Sequence, residues 1–211
     1  MSKPKAIALG NYADAKYHPF TDVDKQIEMI FQDSIDVKST DDYSVLDKER
    51  LAGNELFISY TEFADEPLPA SSTAALLSYV AEGGGLLAIH NGVSLQRNQE
   101  LGAMLGTRFT GHPAFGSLPI QVSEPEHPIM KGIEDFIIDD EPYRFDMYPH
   151  YQTTILAEYE HEGKKWPAAW AHEFGLGRVV YLMPGHQLSA FHVQPYRDLI
   201  LRGGLWSAKL L

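Results

Sequence analysis

Three short runs at residues 6–10, 56–60 and 86–89, almost wholly apolar, constrain the fold of this chain more than any other feature. A strand that is apolar on both faces must be covered on both faces, as in a parallel sheet held between helical layers. The segments between the runs supply the covers. Residues 22–32 carry Val23, Ile27, Ile30 and Phe31 at helical spacing. After residues 56–60 and a Pro-rich turn, Ser71 or Ser72 can cap a helix that turns Leu76, Leu77 and Val80 inward and ends at Gly83. The reading is strand, helix, strand, helix, strand.

Beyond Gly106 the texture changes. Residues 118–122, 136–138, 154–159, 168–172 and 178–183 are strand-like and joined by short turns, which predicts hairpins, an antiparallel extension of the sheet. A helix over 195–210 closes the chain, with Tyr196, Leu199, Ile200 and Trp206 on its apolar face and Gly203-Gly204 weakening it. With 211 residues, no internal repeat and no linker-like stretch, residues 1–211 are expected to form a single domain.

The formal charge is −12 with the basic residues scattered, so the footprint for a phosphate backbone is missing and nucleic acid is not an expected partner. No apolar run approaches the ~20 residues that cross a bilayer, and the polar start runs straight into a strand-like segment. A cytoplasmic location without membrane association is expected. The absence of cysteine removes disulfides, thiolate metal sites and thiol nucleophiles together. Any chemistry must come from His, carboxylate, Tyr, Ser or a metal.

In an open α/β sheet ligands bind beyond the carboxyl ends of the strands. Asn11 and His18 follow the first strand, Tyr60 and Thr61 the second, His90 and Asn91 the third, and Gly185-His186 the strand at 178–183. A strand that turns sharply into a helix at His90 would present the imidazole as acid, base or metal ligand; the other reading is that His90 only braces the turn. His112, between Gly111 and Pro113, is aimed by a permissive residue and a rigid one. Glu141 and Tyr143 share a face if residues 139–145 are extended. His127, His150, His161 and His192 read as turn or surface histidines, and His172-Glu173 as a strand end that faces water or reaches a site.

The segment 83–90 (GGGLLAIH), the GHP at 111–113, the HPI at 127–129, the DEPYRF at 140–145, and the GLGRVVYLMPGH at 175–186 followed by a Trp-bearing helix resemble, in this order, the ThuA, or trehalose utilisation-like, family. The resemblance spans nearly the whole chain. It implies a flavodoxin-like three-layer sandwich, mostly parallel with an antiparallel extension and related to class I glutamine amidotransferases, and an association with sugar catabolism. Their nucleophilic cysteine would fall at His90 and their catalytic histidine at His186, while the acidic third member would fall at Leu188. Thioester chemistry on glutamine cannot run without nucleophile or orienting carboxylate.

His90, His112 and His186, with Glu141 and His18 nearby, are the ingredients of a His/carboxylate site for a divalent transition metal such as zinc, with metal-free acid–base catalysis as the equal alternative. The expected roles are catalytic for His90, His186, Glu141 and Tyr143, and substrate-binding for His18, Asn91, His112 and Tyr60. One function that fits is isomerisation, elimination or hydrolysis of a small sugar or keto-sugar glycoside, with Tyr60, Phe115, Tyr143, Phe145 and Tyr148 available to stack on a pyranose. A metal-dependent hydrolase of other substrates differs only in pocket shape. The alternative of another class is a non-catalytic metabolite-binding or regulatory module. Convergence of the histidines on one cavity would favour the enzyme. A homodimer is the default assembly.

Overall fold

The structure, a computed structural model, describes residues 3–13, 15–63, 66–149 and 152–211; His150 lies outside them. In chain order the elements are β1 (Lys5–Gly10), α1 (Val23–Phe31), β2 (Asp36–Thr40), α2 (Lys48–Leu51), β3 (Leu56–Tyr60), α3 (Ala70–Ala81), β4 (Gly85–Ile89), α4 (Gln99–Leu105), β5 (Thr107–Gly111), β6 (Gly116–Val122), β7 (Phe136–Asp140), β8 (Arg144–Met147), β9 (Thr154–His161), β10 (Lys164–Phe174), β11 (Gly177–Leu182) and α5 (Gln194–Ser207). A 3-10 segment, His90–Arg97, joins β4 to α4, and another, Leu188–His192, precedes α5.

One nine-stranded sheet runs in the order β2-β1-β3-β4-β11-β10-β9-β6-β7. Its first five strands are parallel and the rest pair antiparallel. All residues of β3 and β4 are buried, as a strand covered on both faces requires. Helix α5 packs on β11, β4 and β3 and touches α1, whereas α3 packs on β11 and touches α2 and α4. Two helical layers thus enclose the parallel strands, and the expected mixed α/β architecture is present. A two-stranded ribbon of β5 and β8 stands apart from the large sheet.

Several local expectations are corrected. α3 begins at Ala70 behind Pro69, so Ser71 and Ser72 lie inside its first turn and neither caps it. Tyr79 is buried on its inner face and Leu77 only half-buried. Residues 141–143 are not extended: the Tyr143 N–H donates to the Glu141 carbonyl at 2.9 Å, a three-residue turn around Pro142, whose ring presets the backbone angle. Gly203 and Gly204 weaken α5 less than they let it approach its neighbours, since a Cβ on Gly204 would lie 2.4 Å from the Phe31 ring.

Candidate active site

The carboxyl ends of β1, β3, β4 and β11 lie side by side. The chain leaves β1 for β2 on one side and reaches β3 on the other, so a topological switch point opens between β1 and β3. His18 follows β1, Glu62 follows β3, His90 ends β4 and His186 follows β11. The 140–143 link between β7 and β8 brings Asp140, Glu141 and Tyr143 to the same place.

His90 sits at the elbow with φ 43°, a left-handed conformation that costs a residue with a Cβ and needs support. Its Nδ1 lies 2.7 Å from the Met183 carbonyl, and its own carbonyl accepts from Tyr181 Oη at 2.8 Å. A carbonyl only accepts, so Nδ1 carries the proton and Nε2 keeps a lone pair. That Nε2 is buried without a hydrogen-bond partner, 3.6 Å from Glu141 Oε2. Burial, opposed by the Glu141 carboxylate and reinforced by His18 and His186, brings the His90 pKa down to about 4.

Gly185 has φ 138°, which favours glycine, and a Cβ there would press on Ile89 at 2.9 Å. The sharp turn points the N–H groups of Gly185 and His186 at Asp140, at 2.8 and 3.3 Å, while the Gly185 carbonyl accepts from Tyr60 Oη at 2.7 Å. Asp140 is fully buried and also accepts from the Glu141 N–H. Burial pushes its carboxyl up to about 7 against the pull of these three donors. The His186 ring is half-buried, with Nδ1 3.2 Å from Glu141 Oε2. Burial lowers its pKa while Glu141 opposes, and burial of Glu141 is outweighed by the surrounding imidazoles, which hold its carboxyl below the usual range.

Glu62, absent from the sequence expectations, holds His18. One carboxylate oxygen lies 3.3 Å from His18 Nδ1 and accepts the Phe63 N–H, and the other accepts the backbone N–H groups of Tyr17 and His18. Burial opposes its ionisation, yet the His18 ring and the backbone donors hold its pKa at about 2. His18 Nε2 then faces the site, 3.4 Å from Tyr143 Oη. Burial, with Glu141 and Asp140 nearby, raises the Tyr143 phenol well above its ordinary value, so it stays a donor.

His18, Glu141, Tyr143 and His186 line a cleft of about 570 Å³, walled also by Tyr17, Phe63, Phe109 and His112, with His90 fully buried behind them. The structure thus brings His18, His90, His186, Glu141 and Tyr143 together, the first four each offering an atom within 4.8 Å of the others. His112 stands at the mouth: its ring is a third exposed, its Nδ1 lies 2.8 Å from the Pro113 carbonyl, and Glu141 is 3.8 Å away. Tyr60 and Asn91 lie behind the cleft, buried, with Asn91 Nδ2 donating to the Tyr60 carbonyl. Of the aromatic residues, Tyr143 is in the wall, Phe115 is exposed 5.8 Å from the His186 ring, and Phe145 is buried.

The other described histidines stand away from the cleft. His127 accepts the Ile129 N–H, and His192 is exposed. His161 is half-buried beside Arg144. His172 neither faces water nor reaches the cleft; it is buried and donates from Nε2 to the Met104 carbonyl.

Leu188 offers no carboxylate, but buried carboxylates stand elsewhere around the imidazoles: Glu62 at His18 and Asp140 3.6 Å from His90 Nδ1. The arrangement can move protons between oriented neutral imidazoles, a carboxylate and a phenol, or hold a cation.

In fold the chain is similar to a ThuA-like protein from Parabacteroides merdae, with TM-score 0.80, 16% identity and coverage of 98% of this chain and 90% of that one. A ThuA-like protein from Bacteroides uniformis gives 0.78, 18%, 99% and 93%, and a cytoplasmic protein from Salmonella typhimurium 0.67, 13%, 98% and 98%. No curated protein matches in sequence. The sequence pattern of the family described as ThuA, trehalose utilisation, matches residues 13–207. That span holds every strand of the sheet except β1 and every residue of the cleft, and the chain belongs to the ThuA family.

Proposed function

We propose that this chain is an enzyme of sugar catabolism that acts on trehalose or a related glycoside, in particular a keto-sugar glycoside, by acid–base chemistry in the histidine-lined cleft. The observation that carries the reading is convergence: separate segments bring His18, His90, His186 and Glu141 within 4.8 Å beneath an aromatic-walled cleft. His90 has no exposed surface, so the elbow imidazole is not the group that touches substrate. His186 and Glu141 face the cleft and are partly exposed. A neutral His186 and an ionised Glu141 suit removal of a proton next to a carbonyl or from water. Tyr143, holding its phenolic proton, suits donation to the oxygen on which charge develops.

The cytoplasm is the proposed location. No helix among the described residues is long and apolar enough to cross a membrane, and the similar Salmonella structure is described as a cytoplasmic protein.

The test is proton NMR of untagged protein with trehalose and keto-glycosides in deuterated water, following C–H exchange and glycosidic cleavage. Turnover by the wild type is expected, lowered about 10²–10⁴-fold in Glu141→Gln and His186→Ala with folding retained. A wild type that binds these sugars and converts none of them moves the assignment to a metabolite-binding module.

A further inference from the structure

We infer that the base of the cleft is a mononuclear binding site for a divalent transition-metal ion, ligated by His18 Nε2, His90 Nε2, His186 Nδ1 and Glu141, with His112 outside the ligand set. The first observation is a pair of buried nitrogens with no hydrogen-bond partner, His90 Nε2 and His186 Nδ1. His90 is fully buried, so its free lone pair is aimed into protein, where a polar atom without a partner calls for an explanation. Both nitrogens border Glu141 Oε2, at 3.6 and 3.2 Å. Bonds of about 2.0–2.1 Å in a tetrahedron set neighbouring ligand atoms about 3.3 Å apart. These two separations already match that geometry. The full set spans 4.8 Å, so small side-chain rotations complete it.

The second observation is what stands behind each ligand. Metal-binding imidazoles give their other N–H to a carboxylate or a backbone carbonyl, which fixes the tautomer and aims the lone pair. His90 does so to the Met183 carbonyl and His18 to Glu62. The His186 backbone is tied to Asp140. Asp140 and Glu62 also place two buried carboxyl groups against the imidazoles, Glu62 on His18 and Asp140 3.6 Å from His90 Nδ1. His112 lacks these features: its Nδ1 is engaged by the carbonyl of the next residue and its ring is the most exposed of the four around Glu141 and His18. Three imidazoles and one carboxylate without thiolate suit zinc, and also iron, manganese, cobalt or nickel in the divalent state.

The inference concerns the cleft assigned above but stands on ligand geometry: it gives His186 and Glu141 to the ion and leaves Tyr143 to move a proton, and its test uses no substrate, so its failure is distinguishable from failure of that reading. Untagged protein is stripped with chelator and titrated with Zn²⁺ alone, with Co²⁺ absorption as a second readout, and folding is followed by circular dichroism. One ion per wild-type chain is expected, with a Co²⁺ spectrum of low coordination number. His186→Ala, at a half-exposed position, and His90→Ala should each lose stoichiometric binding. His112→Ala should retain it, and Glu62→Gln should retain one ion with affinity lower by about 10–100-fold. A folded wild type that takes up no Zn²⁺ and no Co²⁺ overturns the inference. So does a folded His186→Ala that binds like wild type, or a His112→Ala that loses the ion.

Discussion

His18 shows how a single side chain acquires a role through a neighbour distant in sequence. An imidazole after a strand is free to rotate and to choose either tautomer; Glu62 removes both freedoms by accepting a hydrogen bond from its Nδ1–H while three backbone N–H groups hold the carboxylate. Because the folded-state pKa, about 2, lies below the ordinary 4.5, the ionised form is favoured by folding. The stabilisation, on the order of 3 kcal/mol at about 1.4 kcal/mol per pH unit, is complete above pH 4.5 and is lost as pH falls toward 2. Urea unfolding of the wild type is expected to weaken by roughly 2 kcal/mol between pH 6 and pH 3 from this group alone. Glu62→Gln should be less stable at pH 7 and should lack that part of the acid slope; parallel curves would sink the idea. His18, His90 and His186 were legible because a strand end announces itself by the apolar run before it. Glu62 and Asp140 were not, since carboxylates recruited through backbone N–H groups follow no pattern of spacing.

At the scale of elements the same contrast holds. β3 and β4 stood out as unbroken apolar runs, whereas β2, with the sequence Asp-Val-Lys-Ser-Thr, is a partly exposed edge strand. β5 and β8 are short ribbons with one covered face, and such segments look like loops until their partner is known. Helix α5 carried a misleading local signal. Propensity counts Gly204 as a cost of about 1 kcal/mol, but Phe31 and Leu56 occupy the place of its missing side chain, at 2.4 and 3.1 Å from an ideal Cβ. Gly204→Ala should therefore destabilise despite better helix propensity, by about 1–2 kcal/mol, because a full methyl in a packed core costs about 1–3. A fall in Tm of roughly 2–4 °C per kcal/mol is expected for a chain of this size. A cycle with Phe31→Leu should show coupling between the two positions. A rise in Tm for Gly204→Ala would mean that helix propensity, not packing, governs this position.

For the whole molecule, the cleft belongs to two halves of one sheet. His18, His90 and His186 follow parallel strands, while Glu141 and Tyr143 arrive from the antiparallel half and its ribbon. Between β11 and β10 the halves share an ordinary ladder, but at the site they are joined by Asp140, the last residue of β7, which receives the N–H groups of Gly185 and His186 from beyond β11. A rigid joint there keeps Glu141 at 3.2 Å from the His186 ring. Asp140→Ala would leave the N–H groups of Gly185, His186 and Glu141 without this acceptor, each loss costing about 1–3 kcal/mol where the group stays buried. Asp140→Asn would keep one acceptor oxygen and fall between that variant and the wild type. Hydrogen exchange separates a local joint from general loosening. In Asp140→Ala the Gly185 and His186 amides should exchange faster by a larger factor than those of Ala8 and Ile58 in the fully buried stretches of β1 and β3, whose protection should change only with global stability. Equal loss of protection at all four amides would show that Asp140 contributes to the stability of the whole sheet and does not set the geometry of the cleft; selective loss at 185 and 186, with turnover reduced to match, would show that the relation between the two halves is itself part of the site.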